Sequence, residues 1–141
     1  MKKSKEYQSK GDIPTQVSEP AILYAVRQNT IDSAYLGDLK HISGLTDELL
    51  SNALNLNVKT FRSYKTTAVA IRPYLQEHIV ALLALYNHGL VVFGVQESFN
   101  DWLRKDNDDF DNDSPLNLLT TMSGVKYVDD RLTAIEYGNN V

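Results

Sequence analysis

Lys59, Arg62 and Lys65 recur every third residue within Val58–Lys65, with Thr60 and Ser63 beside them. On a helix this face presents cations and hydroxyls to phosphates and base edges, as a helix seated in a major groove does. A second group is Asp106-Asn107-Asp108-Asp109-Phe110-Asp111-Asn112-Asp113. Its oxygen donors alternate as in a calcium loop. It lacks a mid-loop glycine and a bidentate Glu at the twelfth position, and Phe110 interrupts it, so a solvated acidic loop fits better. The histidines, His41, His78 and His88, share no metal-ligand spacing. His78 and His88 stand roughly 280° apart around a helix at about 100° per residue, so they do not share a site on it. No Gly-rich phosphate loop and no GxSxG elbow is present. The expected function is therefore binding, with no catalytic residue, cofactor or metal.

Charge is divided along the chain. Residues 1–95 hold ten Lys/Arg against eight Asp/Glu, a net +2; residues 96–141 hold four against ten, a net −6. The acidic half suits a basic partner surface and repels nucleic acid, whereas the front half leaves room for a local basic patch. The 141 residues make one domain, or a domain with a tail. Hydrophobic residues at 43% and charged residues at 23% are ordinary for a globular chain. The absence of cysteine rules out disulfides and thiolate metal sites. No apolar run reaches the ~18 residues that a membrane span needs. Met1-Lys2-Lys3-Ser4-Lys5 has the charge of a signal start, but Glu6–Asp12 is polar, so the expected compartment is the cytoplasm.

The elements that must position these groups are helical. Residues 1–19 are polar and expected to be a flexible tail. Pro20 opens a helix with Ile22, Leu23 and Val26 on one side. Asp32 or Ser33 caps the next, with Leu36, Leu39 and Ile42 inward and Gly44 as its stop. Thr46 caps a third, with Asp47 and Glu48 in its first turn. Asn55-Leu56-Asn57 is a tight turn, and Thr46–Tyr64 reads as a helix-turn-helix. Asn55 stands where DNA-binding versions usually carry Gly, and Asn tolerates the left-handed conformation. After Thr66–Ile71, Arg72-Pro73 starts the longest helix, which runs to about Phe93. Leu75, Ile79, Leu82, Leu83, Tyr86, Leu90 and Phe93 repeat along it at helical spacing, and Leu85, Val91 and Val92 widen the stripe. Gly89 within it predicts a close helix crossing or a dimer contact. A helix over Val95–Lys105 follows, with Phe99, Trp102 and Leu103 on one face. Ser114-Pro115 caps and starts a further turn, and Thr121 caps a last helix striped by Val125, Val128, Leu132 and Ile135, with Gly138 as its stop. The expected architecture is all-α: a tail over 1–19, a helix-turn-helix domain over 20–71 and a small helical domain over 72–141.

Four pieces of the C-terminal half occur in a telling order: Trp102-Leu103 with a polar exit, Ser114-Pro115-Leu116-Asn117-Leu118-Leu119, Gly124, and Ile135-Glu136-Tyr137-Gly138 three residues from the end. This order resembles the toxin-binding domain of the Xre/MbcA/ParS antitoxin family. The resemblance extends more loosely to about Ile22 through Gly44-Leu45-Thr46 and Thr60-Phe61-Arg62. It implies an antitoxin of a type II toxin–antitoxin system whose partner is a RES-domain toxin that consumes NAD⁺ or uses it to modify a target. It further implies that the last helix and tail cover the toxin's active-site entrance. The residues carried over are Ile135, Glu136, Tyr137 and Gly138, with Trp102, Leu103, Ser114, Pro115, Leu116 and Leu119 as supporting structure; Asn139 is expected at the same toxin contact although it departs from the family pattern. Glu136 is the residue expected to pair with a basic toxin cleft. Family members commonly dimerise and repress their own operon, which would employ Lys59, Thr60, Arg62, Ser63 and Lys65 on operator DNA. The chain departs from the family pattern at Ala134, where Arg is frequent, at the polar Asn139-Asn140 ending, and in the acidic loop, where small residues are usual. Two alternatives remain: a free-standing helix-turn-helix repressor, and a module that binds another toxin type through the same surface.

Overall fold

The computed structural model describes residues 13–66 and 70–138, and among them every regular element is helical. The order is α1 (Glu19–Gln28), α2 (Ser33–Ser43), α3 (Asp47–Ala53), α4 (Val58–Thr66), α5 (Pro73–Phe93), α6 (Gln96–Arg104), 3₁₀ turns at Asp108–Phe110 and Pro115–Leu118, and α7 (Met122–Glu136). The chain is thus all-α, as its periodicity predicts.

Side-chain caps set the starts. Ser18 accepts from the Ala21 N–H, Asp32 from Ala34, Thr46 from Leu49, Asn57 from Thr60 and Thr121 from Gly124. Each satisfies a donor that the first helical turn leaves open. The choice between Asp32 and Ser33 falls to Asp32. Between α3 and α4 the chain reverses at Asn55, whose φ of 59° is left-handed as expected. Its side chain also donates to the Thr120 carbonyl at 2.6 Å, tying this turn to the approach to α7. Ser114 departs from expectation. It occupies the cap position but makes no side-chain cap bond, and the segment after it is a short 3₁₀ turn rather than an α-helix. A Cβ on Gly124 would run into the Leu118 carbonyl oxygen, so the glycine lets this turn lie directly on α7.

Helix α5 is the hub. It packs against α1, α2, α6 and α7, and its residues from His78 to Tyr86 are all buried. Its apolar length is therefore spent on the core; among the described residues no single helix is long and apolar enough to cross a membrane. His78 meets the Leu119 carbonyl, and His88, ten residues on, meets Asp129, ten residues beyond Leu119. Helices α5 and α7 therefore run parallel and end at the same pole of the molecule. Gly89 does mark a crossing: the Phe99 ring of α6 lies where its Cβ would be. Two assignments change. Leu23 and Val91 face outward, at 47% and 64% exposure, because Ile22 with Ala25, and the opposite sides of α5, already fill the contact. Of the segment expected to be a tail, residues 1–12 lie outside the described residues. Its end is packed: Val17 is buried and joins the core.

Candidate toxin-binding end and the groups that hold it

The C-terminal pole is built from the end of α7 laid beside the end of α5. Ile135 is half-buried there. Tyr137 is 71% exposed, and Gly138 breaks the helix with a φ of 77°. Left-handed glycine turns the chain off the helix axis. Asn139 lies outside the described residues. Glu136 does not simply face solvent: its Oε1 is 2.8 Å from His88 Nε2, and its side chain is 30% exposed. On the other edge of the same ring, Nδ1 is 2.7 Å from Asp129 Oδ1. The second oxygen of Asp129 accepts the Val17 N–H at 3.0 Å. Asp129 and His88 are almost wholly buried. One imidazole thus joins the N-terminal segment, the central helix and the end of the last helix.

In the sequence His88 has no metal-ligand spacing, and no motif marks Asp129 as a site residue. A signal for Asp129 exists: it is four residues after Val125 and three before Leu132, squarely on the buried stripe. A carboxylate there requires a buried donor. The identity of that donor depends on tertiary contact alone.

Burial opposes a charge on His88, but the hydrogen bonds and charges of Asp129 and Glu136 outweigh it and raise its pKa. For His78, burial lowers the pKa, partly offset by donation from its Nε2–H to the Leu119 carbonyl at 2.9 Å. The two act on stability with opposite signs. The His88 contribution is complete below the unfolded histidine pKa and is lost as pH rises through the raised folded value. The His78 contribution is complete above the unfolded value and is lost as pH falls through the lowered one. Thermal melts from about pH 5 to about pH 9 should show both losses in the parent chain. In His88→Gln the alkaline loss attributable to this pair should disappear while the acid loss persists.

Trp102 sits below the pole as part of an aromatic series. Its ring lies 5.6 Å from Phe93, 6.1 Å from Phe99 and 6.0 Å from Phe110. Its role in the fold is support, and only part of it reaches the surface. Phe110, which interrupts the acidic run, is that loop's anchor: it is buried between Trp102 and Tyr127. Tyr127 donates to the Asp109 carbonyl, and Arg131 pairs with the Asp109 carboxylate at 2.9 Å. Asp111 and Asn112 take left-handed φ values of 56° and 63° to close the loop. Among the described residues no cluster of His, Asp or Glu is arranged to hold a metal ion.

The basic helix is more constrained than its sequence suggests. Arg62 contacts Asp47 at 2.9 Å and Glu48 at 3.2 Å; Lys65 and Lys40 contact Asp47 at 3.0 and 3.1 Å. The Arg62 and Lys65 hydrogen bonds hold the Asp47 carboxyl well below the usual carboxylate range. Lys59 is exposed. The Thr60 N–H donates to Asn57, and the Ser63 hydroxyl donates back to the Thr60 carbonyl at 2.8 Å. Two of the three expected DNA-facing cations are therefore also internal fasteners between α3 and α4.

No curated protein matches the chain. Residues 88–138 match the model of the antitoxin Xre/MbcA/ParS C-terminal toxin-binding domain. The matched segment opens at His88 and takes in Trp102, Asp129, Glu136 and Tyr137, while the Val17 N–H that also holds Asp129 lies before it. The match supports an antitoxin of the Xre/MbcA/ParS type: residues 88–138 are similar to that family's C-terminal toxin-binding domain.

Proposed function

We infer that this antitoxin neutralises a RES-type toxin, one that consumes NAD⁺ or uses it to modify a target. It does so by laying Ile135–Asn139 over the entrance of the toxin's active site. The observation that carries this reading is the projecting end of α7 within the matched domain: an exposed Tyr137 followed by a left-handed Gly138. The part-exposed Glu136 brings negative charge to the same edge, which suits a basic cleft built for a pyrophosphate-bearing substrate. Trp102 stiffens the base of the projection. Neutralisation is steric and electrostatic, with no reaction catalysed by the antitoxin. The working division is a helix-turn-helix region over 20–71 and a toxin-binding region over 72–141, acting in the cytoplasm as a homodimer within a toxin–antitoxin assembly. Co-expression with the neighbouring open reading frame and purification on one tag tests the reading. A RES-domain protein should co-elute. Elution of the antitoxin alone, with promoter binding intact, would favour the free-standing repressor.

Autorepression through α4 is the second part of the reading. Lys59, Thr60, Arg62, Ser63 and Lys65 are the residues expected to meet DNA; Lys59 is exposed, whereas Arg62 and Lys65 also pair with Asp47. Affinity for the gene's own promoter should fall as salt rises, because each neutralised phosphate releases counterions. Lys59→Gln should weaken binding and flatten the salt slope by about one. Lys59 is the cleaner probe, since altering Arg62 or Lys65 also strips Asp47 of partners. Promoter affinity that is unchanged in Lys59→Gln and insensitive to salt would make this unit a scaffold.

A further inference from the structure

The ring of His88 stands between two acceptors. Asp129 Oδ1 lies 2.7 Å from Nδ1 and Glu136 Oε1 lies 2.8 Å from Nε2. Ionised carboxylates only accept, and a neutral imidazole carries one N–H. Both contacts are donated together only by the imidazolium. We propose that His88 and Asp129 are positioning residues for toxin neutralisation: charged His88, oriented by Asp129, holds Glu136 and so fixes the direction in which Tyr137 and Gly138 leave the domain. The proposal rests on the toxin-binding reading of this terminus for its consequence, though not for its geometry.

Loss of the proton affects the two contacts unequally. Asp129 is 3% exposed and its other oxygen is committed to the Val17 N–H, so it has no water to turn to. Glu136 is 30% exposed and can exchange the ring for solvent. Neutral His88 therefore keeps its proton on Nδ1 toward Asp129 and presents a lone pair to Glu136, which swings away. Among the described residues, the charged groups around the pair favour the held state or are neutralised. On α7 they are Asp129, Glu136 and Lys126, the last paired with Asp130 at 2.6 Å. Beyond α7, Glu19 at the start of α1 lies close enough to favour the charge on Lys126, and the N-terminal segment contributes the Val17 N–H. The held state costs the toxin complex less, because the ordering of the last turn is complete before binding.

Two readouts on the full chain decide this. The first needs no toxin: histidine ring chemical shifts and hydrogen exchange of the Tyr137 and Gly138 amides, which bond to the Thr133 and Ile135 carbonyls, followed against pH. His88 should titrate above the ordinary histidine value. Protection of the two amides should drop across the His88 midpoint. In Glu136→Gln, which alters a part-exposed side chain and spares the core, the His88 midpoint should fall and the amides should exchange fast at every pH. Titration of His88 at or below the ordinary histidine value, or amide protection that ignores the midpoint, overturns the proposal. The second readout is affinity for the co-purified RES toxin. It should weaken about tenfold as pH rises through the His88 midpoint, the scale of one charge-assisted hydrogen bond, and His88→Gln should be weak throughout. Constant affinity across a midpoint that releases the amides overturns the proposal as well. Failure of the parent chain to bind the toxin at any pH strikes the toxin reading instead, and the amide titration then decides the positioning contact by itself.

Discussion

Phe99→Ala should cost the protein about 3–5 kcal/mol, a large part of what holds a domain of this size together. The ring is wholly buried where α6 crosses α5. It meets Tyr86 edge-on at 4.9 Å and stacks with Phe93 at 5.7 Å, and it covers the backbone of Gly89. Truncation loses the transfer free energy of the ring and leaves a hole bounded by three other aromatic rings and a bare helix backbone, none of which can easily close it. Urea unfolding followed by far-UV circular dichroism measures the loss. Gly89→Ala reports on the same contact with an informative sign. In an open helix that change stabilises by about 1 kcal/mol. Here the added methyl meets the Phe99 ring, and overpacking of this kind costs about 1–3 kcal/mol. The substitution should therefore destabilise the parent chain and become harmless in a Phe99→Leu background, since the two sites share one contact. A stabilising Gly89→Ala in the parent would show that the crossing is looser than described.

Truncation at the C-terminus should abolish toxin neutralisation, and the position of the cut decides what else is lost. Removing Tyr137–Val141 keeps Glu136 on His88 and all of the buried stripe of Val125, Val128, Asp129 and Leu132. Its melting temperature should stay near that of the parent, because Tyr137 and Gly138 are exposed and the buried stripe is untouched. Cells expressing the partner toxin should nevertheless not be rescued. Removing Glu136 as well strips His88 of one acceptor and should cost an additional ~1 kcal/mol or more below the His88 midpoint, typical of a hydrogen bond to a charged group. Growth rescue beside thermal melting of both truncations separates the two effects. Full rescue by the shorter deletion would move the neutralising surface to the Trp102 helix or the acidic loop. A melting temperature that drops equally in both would mean that Tyr137 itself, and not Glu136, holds the end of α7.

The legibility of this fold follows from where its causes lie. Caps and stops act within a few residues, so Thr46, Thr121, Gly44, Gly94 and Asn55 could be read before any tertiary contact was known, and each adopts the conformation its chemistry favours. Ser114 misled because the same Ser-Pro start serves a 3₁₀ turn, whose length is set by the close approach of Leu118 to Gly124. Phe110 looked like an interruption of an acidic loop. It is the residue that seats the loop, by burial between Trp102 and Tyr127. The basic spacing of α4 was plain, but its ties to Asp47 were not, since they reach back to the start of α3.

By itself the sequence determined the helical class, the positions of the helix ends, the central apolar helix and the order of pieces that marks the toxin-binding end. These depend on the 3.6-residue period and on hydrogen bonds within one turn, which neighbouring residues specify. Only the tertiary structure decided that α5 and α7 run parallel, that Gly89 receives the Phe99 ring, and that Glu136 is shared with a buried histidine 48 residues away. The reason is physical. A charged side chain near a helix end has the same local sequence whether it faces water or a buried imidazole, and the choice belongs to the packing that brings His88, Asp129 and Glu136 into one plane of contact.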